Sequence, residues 1–141
     1  MNLIKTVLVD DEPRRLKVLE LLTSAYADRL DVVAACTDPQ EAIIRINDLT
    51  PELLIMDIQM PTMTAFDILA SLQIRQLEII FVTAHNQYAL RAFQYSAVDY
   101  LLKPIDEDQF HKAITKAIER IGQKNVHQNY EALLHNIQQL K

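Results

Sequence analysis

Leu53-Leu54-Ile55-Met56-Asp57 is a run of four apolar residues closed by a carboxylate, and the same figure recurs at Ile4–Val9, which ends in Asp10-Asp11-Glu12. Short, nearly continuous apolar runs rich in β-branched residues are the mark of strands covered by helices on both faces, as in a parallel sheet. Working outward from residue 53, further runs stand at Val32–Cys36, Ile79–Val82 and Val98–Leu102. Helical spacing fills the gaps. Leu16, Leu19, Leu22 and Tyr26 mark the first helix, and Ala42, Ile43 and Ile46 the second. Phe66, Leu69, Ala70 and Leu72 mark the third, Ala89, Ala92 and Phe93 the fourth, and Phe110, Ala113, Ile114, Ala117 and Ile121 the fifth. Asp38 ahead of Pro39 predicts an N-cap with proline at the first helical position, with Glu41 placed close to a capping box, and Asp106 predicts the cap of the fifth helix. The order is βα five times over. It predicts an α/β fold, a five-stranded doubly wound parallel sheet, (βα)5, with right-handed crossovers and an extra C-terminal helix.

The 141 residues suit one core. Half of them are hydrophobic and 23% are charged, the balance of a soluble globular protein rather than a disordered one. The net charge of −5 argues against a bare nucleic-acid or anionic-membrane binder, since either needs a cationic face. One cysteine, Cys36, makes neither a disulfide framework nor a structural zinc site. The start, MNLIKTVLVDDE, runs into acids and is not a signal peptide, and no apolar run approaches the ~20 residues of a membrane helix. The reading is a cytoplasmic protein. The single glycine, Gly122, excludes the glycine-rich phosphate cradles. The polar stretch from Gly122 to Asn125 predicts a break, dividing a domain over 1–122 from a linker or heptad helix over 123–141. In that second segment Val126, Tyr130, Leu133, Ile137 and Leu140 recur at spacings of four and three. Two heptads are short for a coiled coil standing alone, so two readings remain open: a tail packed on its own domain, or a linker or dimer helix.

Ligands of an open parallel sheet bind outside the carboxyl ends of the strands, which makes the residues closing each run the ones to weigh. They are Asp10 and Asp11, then Asp57, Thr83 and Lys103-Pro104. Three carboxylates so close repel unless a cation joins them, and a hard divalent ion such as Mg²⁺ suits oxygen ligands, with the backbone carbonyl of Gln59 a further donor. Lys103 adds a second positive charge and Thr83 a hydroxyl. Such a site suits a phosphoryl group. Asp57, closing the central strand, is the expected nucleophile, and Asp10 with Asp11 the metal clamp. Singly each of these residues reads as a turn or cap; jointly, at one sheet end, they do not. Elsewhere His85 either lines the site mouth or starts helix four. His111, His127 and His135 share no metal-ligand spacing and read as surface residues. Cys36, Met56, Met60 and Met63 read as packing, and Tyr88, Phe93 and Tyr95 as core or an exposed dimer face on helix four.

VLVDDEP (7–13), LLIMDIQMP (53–61), FVTA (81–84) and DYLLKPI (99–105) together resemble the receiver domain of bacterial two-component response regulators, the flavodoxin/CheY-like fold, over Ile4 to about Ile121. The resemblance implies that Asp57 is the phosphoacceptor, that Asp10 and Asp11 hold Mg²⁺ with Asp11 the more direct ligand, joined by the Gln59 carbonyl, and that Thr83 and Lys103 contact the phosphoryl group. Tyr100 matches the switch aromatic, and the Lys103–Pro104 bond is expected to be cis. The longer stretch FVTAHNQYALRAFQYSAVDYLLKPI (81–105) is similar to the LytR/AlgR group, whose effector is a C-terminal LytTR DNA-binding domain. By that likeness the chain takes a phosphoryl group from a sensor histidine kinase and is not an enzyme beyond its own phosphorylation and dephosphorylation. It forms a homodimer through helix four, strand five and helix five or through the C-terminal helix. It regulates transcription only through a DNA-binding domain that does not follow here, so the chain reads as a receiver plus linker or a natural single-domain regulator. It departs from the pattern at Ala65, where the family usually has glycine, which bears on the loop after Asp57. Other readings are an aspartate-nucleophile phosphohydrolase, whose DxD motif and cap domain the sequence lacks, a flavodoxin-type FMN protein, whose Ser/Thr-rich loop is replaced by three acids, and an interaction module that is never phosphorylated.

Overall fold

The computed structural model describes residues 2–74 and 76–139. In chain order the elements are β1 (Ile4–Val9), α1 (Pro13–Ser24), β2 (Leu30–Cys36), α2 (Pro39–Leu49), β3 (Leu53–Met56), α3 (Ala65–Ala70), β4 (Glu78–Thr83), α4 (Ala89–Gln94), β5 (Asp99–Leu102) and α5 (Glu107–Gln139). All strands pair in parallel, in the order β2-β1-β3-β4-β5. The order reverses between β1 and β3, the switch point at which a doubly wound sheet opens a crevice.

Strand alternation divides the core into two layers. Leu8, Leu53, Ile55, Ile80 and Val82 face α1 and α5, packing on Leu16, Leu19, Phe110, Ala113 and Ala117. Val7, Val9, Leu54, Met56 and Phe81 face the other way, onto Ala42 and Ile46 of α2, Phe66 and Ile68 of α3 and Ala92 of α4. Because β1, β3 and β4 are buried along almost their whole length, their sequences read as nearly continuous apolar runs, interrupted in β1 by exposed Lys5 and by Thr6. Asp38 caps α2 by accepting from Gln40 N–H at 3.2 Å, and Asp106 accepts from Asp108 N–H at 2.9 Å at the start of α5.

Several expectations need correction. Tyr26 and Leu72 lie beyond the ends of α1 and α3, in the turns that follow them, although both still pack on the core. His85 does not start helix four, because α4 begins at Ala89 and His85 sits in the loop before it. Ala65 is fully buried, opens α3 and donates its N–H to the Ile58 carbonyl at 2.7 Å. Left-handed backbone among the described non-glycine residues is confined to Thr50 and Ser96, so the loop after Asp57 does not call on glycine's freedom at residue 65.

The break expected at Gly122–Asn125 is absent, since α5 runs unbroken through it to Gln139. Glycine inside a helix costs about 1 kcal/mol relative to alanine, and two clasps to the body fix the helix on either side of the polar stretch. Buried Glu78, at the N-terminal end of β4, pairs with Arg120 at 3.5 Å and with Lys124, and Gln128 donates to Gln76 at 2.7 Å. Val126, Tyr130, Leu133 and Ile137 are exposed. At 3.6 residues per turn their stripe lies about 150° round the helix from Arg120, Lys124 and Gln128. The tail is therefore held on one face and apolar on the other, and the stripe does not pack on its own domain. Leu140, the last seam position, lies outside the described residues.

Candidate functional site

Ladder bonds carry each strand one residue past its end and set the site residues side by side. Asp10 N–H reaches the Cys36 carbonyl at 3.1 Å, Asp57 N–H the Val9 carbonyl at 3.0 Å and Lys103 N–H the Thr83 carbonyl at 2.8 Å. Asp10, Asp57 and Thr83 are all buried at the C-terminal edge of the sheet. One carboxylate oxygen each from Asp10, Asp11 and Asp57 lies within 4.8 Å of the others.

The charges are compensated from two sides. Lys103 Nζ donates to Asp10 Oδ2 and to Asp57 Oδ2, both at 2.8 Å. Asp57 Oδ1 accepts from Ile58 N–H at 2.7 Å, and Asp10 Oδ1 from Glu12 N–H at 3.0 Å. On the other side Arg15 Nε stands 3.3 Å from Asp10 Oδ1, and its Nη2 3.6 Å from Asp11 Oδ1. Asp11 Oδ1 is buried with no hydrogen-bond partner. A buried anionic oxygen without a donor is costly unless something binds it. Three hard carboxylates at this spacing, with an orphaned oxygen on Asp11, fit a small divalent cation.

Thr83 stands beside this cluster rather than in it: its Oγ1 accepts from His85 N–H at 3.4 Å. The Tyr100 hydroxyl donates to the His85 carbonyl, so Thr83 and Tyr100 hold the same loop residue from two sides. Burial of Tyr100 raises its pKa above the ordinary tyrosine value. Gln59 is exposed after the strand-three turn, its backbone bridged to Thr64 and its side chain accepting from the Tyr88 hydroxyl at 3.4 Å. The Lys103–Pro104 peptide is cis.

A response regulator receiver domain matches residues 6–115. The chain belongs to the response regulator receiver family. Among curated relatives, this receiver is 37% identical over 140 residues to Transcriptional regulatory protein BtsR of Salmonella typhi, covering 99% of this chain and 56% of that protein. It is 35% identical over 138 residues to an uncharacterized response regulatory protein of Yersinia pestis, covering 96% and 57%. The chain thus spans little more than half the length of these relatives. Solved structures show the same fold. The response regulatory domain of mrkE from Klebsiella pneumoniae superposes with a TM-score of 0.78 at 23% identity, over 85% of this chain and 99% of that one. The REC domain of AraT from Geobacillus stearothermophilus superposes at 0.77 and 24% identity, over 88% and 99%.

The remaining candidates fall outside the receiver's acidic cluster. Cys36 is buried, and desolvation raises its thiol pKa. Met56 and Met60 are core, with Met63 packed against them. His111 meets the Tyr26 hydroxyl at 2.9 Å, and His127 and His135 pair along α5 with Glu131 and Gln139. Phe93 is 80% exposed on α4, whereas Tyr88 and Tyr95 pack their rings near Phe66. Sequence reasoning missed Arg15. Its signal was the spacing of four residues from Asp11, just ahead of α1, to Arg15 in its first turn, a spacing that most often marks a solvated pair.

Proposed function

We propose that the receiver accepts a phosphoryl group on Asp57 from a sensor histidine kinase, with Mg²⁺ held by Asp10, Asp11, Asp57 and the Gln59 carbonyl. The observation that carries this reading is the Lys103 ammonium bridging Asp10 and Asp57 at 2.8 Å each, beside an Asp11 oxygen left without a donor. Bound there, Mg²⁺ supplies positive charge against the carboxylates and the equatorial oxygens of the transferring group. Asp57 forms the new O–P bond as the bond from phosphorus to the donor's imidazole nitrogen breaks, and Lys103 neutralises charge on the group that arrives. Thr83 then turns its hydroxyl to the acyl phosphate and gives up His85 N–H. Since His85 also holds Tyr100, that exchange biases the β4–α4 loop and β5 together. In this reading the protein is a phosphoacceptor that catalyses only its own phosphorylation and dephosphorylation.

The output goes through a second copy, by the α4–β5–α5 face or by the tail helix. Leu90, Phe93 and Leu102 are exposed on the first, and Val126, Tyr130, Leu133 and Ile137 on the second. Residues 1–122 are the receiver and 123–141 the connection to a LytTR-type DNA-binding domain, acting on transcription in the cytoplasm. Among the described residues no helix is long and apolar enough to cross a membrane.

Intact mass after incubation with acetyl phosphate tests the chemistry. One phosphoryl adduct per chain is expected with Mg²⁺ and none in EDTA. Steady release of phosphate over many turnovers points instead to a phosphohydrolase, and a folded, Mg²⁺-bound chain without adduct to a phosphorylation-independent module. Sedimentation of Phe93→Glu and Leu133→Glu assigns the interface. The variant that stays monomeric after phosphorylation, where the unsubstituted chain dimerises, identifies the face in use, and dimers in both remove both faces.

A further inference from the structure

We infer that Arg15 is the site's exchangeable counter-ion, a built-in competitor that occupies the metal-binding carboxylates when no cation is present and must leave when one arrives. The inference rests on the Mg²⁺ reading above and concerns which of two protein cations gives way. Lys103 and Arg15 divide the carboxylates between them. Lys103 holds the Oδ2 atoms of Asp10 and Asp57, and Arg15 stands against the Oδ1 atoms of Asp10 and Asp11. Their situations differ in depth. The Lys103 side chain is 14% exposed and makes two 2.8 Å bonds, whereas the Arg15 side chain is 45% exposed and makes none as short.

A divalent ion set among these oxygens changes the local sum from three negative and two positive charges to three negative and four positive. The excess is relieved most cheaply by the cation that can re-enter water, and that is Arg15. Its departure also frees the Asp11 oxygen that accepts no hydrogen bond, because the 3.6 Å contact from Nη2 is an ion pair only. A guanidinium cannot shed its proton to make way, so displacement is the one route open to it. Arg15 acts through Asp10 and Asp11 and is a positioning residue. It offsets part of the repulsion among the carboxylates in the metal-free protein and sets how much free Mg²⁺ is needed to displace it.

Mg²⁺ titration by calorimetry on the whole chain, alongside Arg15→Ala, Arg15→Gln and Arg15→Lys, tests this. The two neutral variants should bind Mg²⁺ about three- to tenfold more tightly than the unsubstituted protein, with Arg15→Lys near the unsubstituted value. Thermal unfolding supplies a readout that loss of helix packing would not produce. The neutral variants should have a lower Tm in EDTA and a larger upward shift at saturating Mg²⁺, whereas a purely structural role lowers Tm equally in both. Equal or weaker Mg²⁺ affinity in both neutral variants overturns the inference and leaves the phosphoacceptor reading standing. An unsubstituted chain that binds no Mg²⁺ overturns both.

Discussion

Asp57→Asn is expected to abolish the phosphoryl adduct outright while leaving the fold intact. Asparagine keeps the shape of aspartate and can still accept the 2.7 Å bond from Ile58 N–H, so the turn after β3 retains its anchor. It loses the anionic oxygen that would attack phosphorus, and an amide is no substitute nucleophile. Lys103 keeps its bond to Asp10 and is not left unpaired. The rival acceptors are badly placed. Asp10 is wholly buried, and both of its oxygens are engaged by Glu12 N–H, Arg15 and Lys103. Asp11 pairs with Arg15 at 3.6 Å and makes no ion pair with Lys103, the cation proposed to meet the arriving group. Intact mass with acetyl phosphate and Mg²⁺ should therefore fall from one adduct to none, with circular dichroism unchanged. An adduct that persists in Asp57→Asn and maps to Asp10 or Asp11 would exchange the roles of clamp and acceptor.

How much of this was legible depended on where each signal lay. β1 and β3 run over the residues their apolar runs mark, because each strand begins and ends on a buried apolar residue. The clustered residues Asp10, Asp11, Asp57 and Lys103 were legible because each lies within two residues of the end of a strand, where an apolar run gives way to polar side chains. Thr83 was placed at the right edge but not in its present bond, since its Oγ1 turns to a loop N–H. Helix limits were less readable. Spacing says which face is apolar but not where the helix stops, so Tyr26 and Leu72 continued the pattern into turns. Gly122 misled in the opposite sense. Nothing lies within 4 Å of where its Cβ would be, and what fixes the helix there is Glu78, a partner more than forty residues away in sequence. Arg15 had a local signal, four residues after Asp11, but the pairing matters only because folding brings Asp10 and Asp57 to the same place.

Removing Lys103 should produce the largest loss of stability of any single change at the site, and a divalent cation should offset much of it. In Lys103→Ala the Oδ2 atoms of Asp10 and Asp57, which now share one ammonium at 2.8 Å, face each other with no donor between them. Breaking a buried pair by removing one partner costs about 3 kcal/mol or more, because the remaining charges stay buried. Arg15 compensates Asp10 and Asp11 through their Oδ1 atoms and makes no ion pair with Asp57. Urea unfolding in EDTA should show this loss. Mg²⁺ should return about 2.7 kcal/mol once it exceeds its Kd a hundredfold, by mass action on the folded state alone, and at one fixed Mg²⁺ concentration the gain should exceed that of the unsubstituted chain because the carboxylates have lost a neighbouring positive charge and bind the ion more tightly. Phosphorylation should nonetheless fail to produce a response, since the cation proposed to meet the arriving phosphoryl oxygens is missing. Loss of Mg²⁺ binding in Lys103→Ala would break this division of labour, placing the lysine among the groups that build the metal site rather than those that receive the phosphoryl group.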